Sequence, residues 1–347
     1  MKAAVFKAVG QPLAIEDVPD PVPSERDLVI AVKACGICGT DLHWTEHHNT
    51  DGAWRDLAPG RVLGHEFAGE VMEVGARAKS QFKVGDAICA LPFVSCGHCE
   101  ACKRGRFYRC KSVDTRGTTT LPGAYAELTR VGMSSAVRLP AGVDYQLGAL
   151  VEPLAVGLAA AERASFSPGS SVLIMGAGPV GLSVALWCRY LGARHIIVSD
   201  LVGERAQQAA QFGATDFIDA GREDVGDALR RISGSAPQIV FDCVGLHGTM
   251  QQAIAHVADD GTVVVAGLCM GSDTLLPAIA VVKAIDIRFT MCYEKRHFEL
   301  IVDLMAQGRI DASGFVTGTV GFDAFTSKFE SLKQPGEDLK VLLKPEV

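Results

Sequence analysis

The chain has 347 residues, 48% of them hydrophobic and 21% charged, with 37 glycines, which is enough apolar material for two packed domains joined by many tight turns. A formal net charge of −7 with no extended Lys/Arg stripe excludes a nucleic-acid-binding surface, and no apolar run approaches the ~20 residues of a membrane span. The N-terminal MKAAVFKAVGQ alternates like a strand and lacks the apolar core of a signal peptide. A reducing, cytoplasmic location is therefore expected, where eleven cysteines hold metal more readily than they pair.

Residues 1 to about 150 read as short alternating strands punctuated by Gly and Pro, including VIAVKACG (29 to 36), EFAGEVMEVG (66 to 75) and VGDAICALP (84 to 92). Between the first two of these lies GICGTDLH (36 to 43), a cysteine between glycines followed by Thr40, Asp41 and His43, which reads as a turn. From residue 151 the texture changes to alternating strands and helices. SVLIMG is followed by a helix over 179 to 191, HIIVSD by one over 203 to 212, DFIDA by one over 223 to 232, and QIVFDCVG by one over 248 to 258; TVVVAGL closes the series. This rhythm predicts a doubly wound parallel sheet. After about residue 292 come a helix in KRHFELIVDLMAQG, strand-like FVTGTVGF, a helix around FTSKFESL and a last strand KVLLKP, a tail that can return to the first domain.

Two motifs carry chemistry by spacing alone. SVLIMGAGPVG ends in Gly176, Gly178 and Gly181, a G-x-G-x-x-G turn between a strand and a helix. Such a turn lets a pyrophosphate approach the backbone at a helix N-terminus, where free N–H groups favour anions. Asp200 ends the next strand 19 residues after Gly181, where a carboxylate accepts hydrogen bonds from the adenosine ribose and repels a 2′-phosphate, so NAD is expected rather than NADP. Arg205 in the following helix is a candidate to stack near the adenine, with a solvated helix-face arginine as the equal alternative. Cys96, Cys99, Cys102 and Cys110 are spaced C-x2-C-x2-C-x7-C. Four thiolates so close can form a closed tetrahedral shell, the pattern of structural zinc, with an iron–sulfur cluster as the rival reading. Lys103, Arg104, Arg106 and Arg109 are expected to offset the charge of that shell.

With these motifs in place the chain resembles the zinc-dependent medium-chain dehydrogenases of the alcohol and polyol type. The resemblance is carried by GICGTDLH, GHEFAGEVMEVG (64 to 75), KVGDAI, the four-cysteine lobe, VEPLAVG (151 to 157), GAGPVG, DCVG (242 to 245) and the final KVLL, in family order over nearly the whole length. VEPLAVG and GTDLH are most similar to the butanediol, sorbitol and threonine dehydrogenase branch. The resemblance implies an α/β protein with a GroES-like β-rich catalytic domain over 1–153, completed by 293–347, and a Rossmann domain over 154–292. It also implies a homodimer or homotetramer with its active site in the cleft between the domains.

By the same resemblance a catalytic zinc is held by Cys38, His65 and either Glu66 or Glu152, so each chain binds two zinc ions, one catalytic and one structural. Asp41 is expected behind His65. Thr40 and His43 are expected to carry the hydroxyl proton outward, and cofactor contacts are expected to extend over Pro179, Val180, Val244, Gly267 and Lys340. The implied reaction takes a small secondary alcohol or vicinal diol to its ketone. Primary or aromatic alcohols are the alternative within enzymes, and a non-catalytic crystallin-like protein is the alternative outside them. The sequence departs from its relatives at Gly39, where some carry a phosphate-binding arginine, and at Ala159, which replaces a histidine. The segment 44 to 60, with Trp44, His47, His48 and Trp54, is expected to form part of the substrate wall.

Overall fold

The computed structural model describes residues 1–48, 56–116, 121–334 and 336–347. They divide into two compact units, one formed by residues up to Glu152 together with Tyr293–Val347, the other by Pro153–Cys292.

The first unit is organised by Asp27–Gly36, a Val/Ile-rich strand that is buried along almost its whole length. β-branched residues suit such a position because they pack against neighbours on both faces. It is a central strand of a seven-stranded sheet in the order Val316–Val320, Lys340–Leu343, Asp27–Gly36, Glu66–Val74, Ala87–Ala90, Ala136–Arg138, with Leu128–Gly132 also paired to it. Two of its registers fix the surroundings of Cys38. Gly36 faces Glu66 across the antiparallel pair with Glu66–Val74, and faces Leu342 on its other side. The tail therefore contributes a strand directly beside the segment that leads to Cys38. Its helix Phe322–Ser331 seals the core with Phe325 and Phe329, both fully buried. Burying each of these rings contributes about 1.5–3 kcal/mol.

The second unit is a six-stranded parallel sheet in the order Asp216–Asp219, His195–Asp200, Ser171–Met175, Ile239–Asp242, Thr262–Val265, Asp286–Phe289. Numbered along the chain the order is 3-2-1-4-5-6, the doubly wound arrangement that binds dinucleotides where the strand order reverses. That reversal falls beside Ser171–Met175, the strand that runs into the glycine turn.

Two helices depart from the expectation raised by the sequence. GICGTDLH is not only a turn, because a helix begins inside it and spans Gly39–Glu46 with Cys38 as its N-cap. A second helix, Tyr145–Arg163, carries the chain from one unit to the next with Pro153 in its interior. Pro costs an interior helical hydrogen bond, and neighbours approach this helix closely at Gly148 and Gly157. A Cβ at Gly157 would stand 2.0 Å from Ser183 Oγ, and one at Gly148 would stand 2.6 Å from Leu139 Cδ1.

Candidate active site and metal centres

Cys38, His65 and Glu66 are brought together by strand pairing. Asp27–Gly36 ends two residues before Cys38, and Glu66–Val74 begins at Glu66, opposite Gly36. The ligand atoms of Cys38, His65 and Glu66 all lie within 4.8 Å of one another. Thiolate, imidazole and carboxylate together suit a zinc ion that keeps one coordination position open. Glu66 is 1% exposed, and its Oε2 has no hydrogen-bond partner among the described residues. A buried carboxylate oxygen is costly in that state, so the arrangement fits a cation at this point.

The other oxygen, Glu66 Oε1, accepts from Lys340 Nζ at 2.7 Å, and the same ammonium donates to Ile37 O at 3.0 Å. Both residues are 2% exposed at the side chain. Burial works against the Lys340 ammonium, yet the charges of Glu66 and Cys38 outweigh it and raise its pKa above the ordinary value. Lys340, expected among the cofactor contacts, is placed beside Glu66 by the register of the final strand. Gly36 makes this pair possible, since a Cβ there would stand 2.1 Å from Glu66 Oε2.

Behind His65 stands Asp41, in the first turn of the Gly39–Glu46 helix and 1% exposed. Its Oδ1 is 3.2 Å from His65 Nδ1, and its Oδ2 accepts from Tyr125 OH at 2.6 Å. Burial pulls the imidazole's pKa down, but Asp41 and Cys38 together hold it well above the ordinary value. Asp41 Oδ1 has no hydrogen-bond partner among the described residues, so its hold on the imidazole is the charge it sets beside Nδ1, a placement that favours Nε2 as the metal-binding nitrogen. Tyr125 is fully buried, its ring centroid 5.0 Å from that of Phe325, so the tail helix braces the group that braces Asp41. Sequence reasoning missed Tyr125, which stands in GAYAEL without any motif to mark it. Replacing it by Phe is expected to leave the ring packing intact and to weaken metal retention about tenfold or more, as removing such supporting hydrogen bonds does. Zinc release to a chromophoric chelator measures this.

Glu152 lies on Tyr145–Arg163, is 7% exposed, and accepts a hydrogen bond from Tyr293 OH. Burial, opposed by His65 and reinforced by Glu66, pushes its carboxyl up to about 7. It stands outside the compact set of Cys38, His65 and Glu66. Tyr293 is a second residue that the sequence did not reveal. Thr40 and His43 sit on the Gly39–Glu46 helix, Thr40 half-buried and His43 exposed. Of the 44 to 60 segment, Trp44 packs against the hydrophobic core, and 49 to 55, with Trp54, lie outside the described residues.

The ligand atoms of Cys96, Cys99, Cys102 and Cys110 also lie within 4.8 Å of one another. Cys102 Sγ is 3.8 Å from Cys96 Sγ and 3.5 Å from Cys99 Sγ. Sulfurs at about 2.3 Å from a tetrahedral zinc are about 3.8 Å apart, so the four thiols enclose the space of a single ion. A multi-iron cluster would need them farther apart. Cys99 N–H donates to Cys96 Sγ and Ser112 N–H to Cys110 Sγ, both at 3.4 Å. Backbone donors at His98 and Cys99 hold the Cys96 thiol below its ordinary value, which favours the thiolate. Two of the basic residues expected to offset the shell have carboxylate partners instead, Arg104 on Glu100 and Arg106 on Glu294, each at 2.9 Å.

In the second unit Gly176 has φ +96° and passes the chain from strand to helix, and Gly178 caps the helix Pro179–Tyr190 with Pro179 in its first turn. A Cβ at Gly178 would meet nothing within 4 Å, whereas one at Gly181 would lie 1.9 Å from Gly176 O. The turn is therefore open on the side of Gly178 and closed on the side of Gly181, the cradle a pyrophosphate needs. Val244 Cγ2 lies 3.1 Å from the Cβ position of Gly176, and Gly267 is pressed against Gly245. Asp200 accepts from Ala177 N–H at 2.6 Å and from Val202 N–H at 2.9 Å, and Arg205 Nη1 is 3.3 Å from it. Pro179 and Val180 occupy the first turn of the helix. The groups present fit a dinucleotide.

Residues 24–141 match the family described as "Alcohol dehydrogenase GroES-like domain", and 179–307 match "Zinc-binding dehydrogenase". The chain is 34% identical to sorbitol dehydrogenase of Bacillus subtilis, over 99% of this chain and 97% of that protein. Its fold matches 2R,3R-butanediol dehydrogenase of Bacillus subtilis with a TM-score of 0.87 and 28% identity, covering 99% of each chain. It matches a Sinorhizobium meliloti 1021 chain, described as a zinc-binding dehydrogenase and bound to NADP, with a TM-score of 0.88 and 29% identity, covering 99% of each. A two-unit α/β protein with a GroES-like β-rich domain and a Rossmann sheet is the architecture of a medium-chain oxidoreductase. This chain belongs to the zinc-dependent medium-chain alcohol dehydrogenase family.

Proposed function

We propose that the protein is an NAD-dependent zinc dehydrogenase that interconverts a secondary alcohol or vicinal diol of polyol type with the corresponding ketone. The observation that carries this reading is the Cys38–His65–Glu66 set with its buried, unpartnered carboxylate oxygen. The chain's likeness to a sorbitol dehydrogenase and a butanediol dehydrogenase supports the substrate class. Bound zinc supplies Lewis-acid polarisation of the substrate oxygen, and bound NAD accepts hydride from the adjacent carbon.

The chain's own residues do the rest. Cys38, His65 and Glu66 hold the ion, with Asp41 and Tyr125 fixing the imidazole and Lys340 fixing the carboxylate. Glu152, a protonatable group tied to Tyr293, stays available to the substrate's second hydroxyl. Thr40 accepts the hydroxyl proton, and the exposed His43 releases it to water. The four-cysteine lobe holds a structural zinc. Gly176, Gly178, Gly181, Pro179, Val180, Val244 and Gly267 cradle the dinucleotide.

Asp200 accepts the ribose hydroxyls and repels a 2′-phosphate, which favours NAD. Asp200→Gly removes the carboxylate that stands 3.3 Å from Arg205 Nη1 and with it the repulsion of a 2′-phosphate. It is expected to weaken NAD binding about tenfold, the loss of a hydrogen bond to a charged group, and to bring KM for NADP down towards that for NAD. Initial rates with the two cofactors check this. A homodimer or homotetramer is supported by the exposed apolar side chains of Val281, Val282, Phe289 and Met291 beside the sheet-edge strand Asp286–Phe289. The cytoplasm, which keeps thiolate ligands reduced, is the compartment this chemistry needs; no helix among the described residues is long and apolar enough to cross a membrane. The test of the reading is an NAD-reduction screen of the zinc-loaded protein over secondary alcohols, vicinal diols, polyols, threonine and aromatic alcohols. Turnover of diols or polyols at the highest kcat/KM is expected, and exclusive use of primary or aromatic alcohols would overturn it.

A further inference from the structure

We propose that the outer end of the Gly39–Glu46 helix is a third metal site, a surface site for a divalent transition-metal cation, and that a cation bound there blocks the exit of the active-site proton. The helix ends in the run H-W-T-E-H, which places His43, Glu46 and His47 at i, i+3 and i+4. These positions share one helix face. The three ligand atoms lie within 4.8 Å of one another. The His43 and His47 rings are stacked, with centroids 6.4 Å apart and planes 23° apart. The His47 N–H donates to His43 O at 3.1 Å, so the last turn is closed and both imidazoles are held on one face of it.

The chemistry of the set is selective. Two imidazoles and one carboxylate suit zinc, nickel or copper and leave a position for water. The hard, all-oxygen environment that calcium or magnesium prefers is missing. A cation here also sits at the C-terminal end of the helix, where the helix dipole favours positive charge. Next in sequence, His48 already has a partner, with Nδ1 3.2 Å from Asp56 Oδ2, which leaves His43, Glu46 and His47 as the converging groups.

The functional consequence rests on the proposed role of His43. An imidazole releases a proton to water only if a ring nitrogen first accepts it, and a metal on that nitrogen occupies the lone pair required. Cation binding at the helix end would therefore slow alcohol oxidation without touching the catalytic zinc. Excess zinc thus acts as an inhibitor through a site separate from the two that make the enzyme.

The experiment uses the holoenzyme with both tight zinc ions in place and adds zinc alone. Equilibrium dialysis is expected to show a third equivalent in the parent protein and its loss in both His47→Ala and Glu46→Gln. Neither residue belongs to the proposed catalytic machinery, so both variants are expected to turn over at the parent rate in zinc-free buffer. Added zinc is expected to slow the parent by about a hundredfold or more, the contribution of a positioned proton acceptor, and to leave His47→Ala unaffected. Absence of the third equivalent, or its persistence in both variants, overturns the site. A third equivalent that binds without slowing turnover overturns the coupling, and with it the place of His43 on the proton path. The metal count is read independently of any substrate, so failure of the proposed reaction and failure of the site are distinguishable.

Discussion

Cys38→Ala is expected to remove alcohol oxidation while leaving the fold in place. Cys38 caps the Gly39–Glu46 helix without a side-chain capping hydrogen bond, so its loss costs the helix little. Its thiolate is, however, one of only three groups in the compact set with His65 and Glu66. Without it the remaining imidazole and carboxylate make a weak site. Polarisation of the substrate oxygen, worth several kcal/mol, is lost. At about 1.4 kcal/mol per tenfold the expected fall in kcat/KM is about a thousandfold or more. Metal analysis should find one zinc per chain instead of two, with an unchanged circular-dichroism spectrum. A variant that keeps both ions and its kcat would remove Cys38 from the metal site.

Cys102→Ser is expected to do the opposite, taking away order and leaving chemistry in the surviving folded fraction. The lobe between residues 95 and 113 contains one four-residue helix, Glu100–Lys103, and a three-residue turn of helix, Phe107–Arg109. It is closed at its base by two-residue strands, Phe93–Val94 and Asp114–Thr115. Elements this short do not hold themselves. In free-standing zinc-finger peptides, metal binding supplies about 10 kcal/mol or more of folding free energy. The lobe is expected to depend on its ion in the same way. Cys102 is 6% exposed and its Sγ neighbours two of the other sulfurs, so its replacement opens the shell. Trypsin should then cut at Lys103, Arg104 or Arg106, with the melting temperature lowered and one zinc lost, while the parent protein resists under the same conditions.

These two cysteine sets differ in how readily the sequence reveals them. The lobe's four ligands lie within fifteen residues and announce themselves by spacing. The glycine turn, Asp200 and the alternating strands and helices of the second unit are similarly local, and periodicity is enough to find them. The Cys38 site is assembled over long distances. Lys340 meets Glu66 across 274 residues of sequence, Tyr293 meets Glu152 across 141, and Tyr125 meets Asp41 across 84. No local pattern encodes such pairs; strand register and the returning tail create them. The same holds for the two unexpected helices. Gly39–Glu46 begins with a glycine and has no apolar stripe, and Tyr145–Arg163 contains Pro153 and two internal glycines. Propensity disfavours both, and packing against neighbours decides for them. The Lys340–Glu66 pair shows how a returning strand adds a partner that no local pattern announces. Both partners are buried, so removing either one strands a charge at a cost of about 3–5 kcal/mol.

Hydride transfer from a secondary carbinol to NAD, at a zinc held by Cys38, His65 and Glu66, is the central claim. It is tested most directly with a vicinal diol or polyol carrying deuterium on the secondary carbinol carbon, incubated with the zinc-loaded protein and NAD. The expected result is deuterium in the reduced nicotinamide, a ketone product, and loss of both on chelation of the catalytic zinc or in Cys38→Ala. Reduced cofactor without deuterium, or undiminished transfer in the metal-depleted protein, would contradict it.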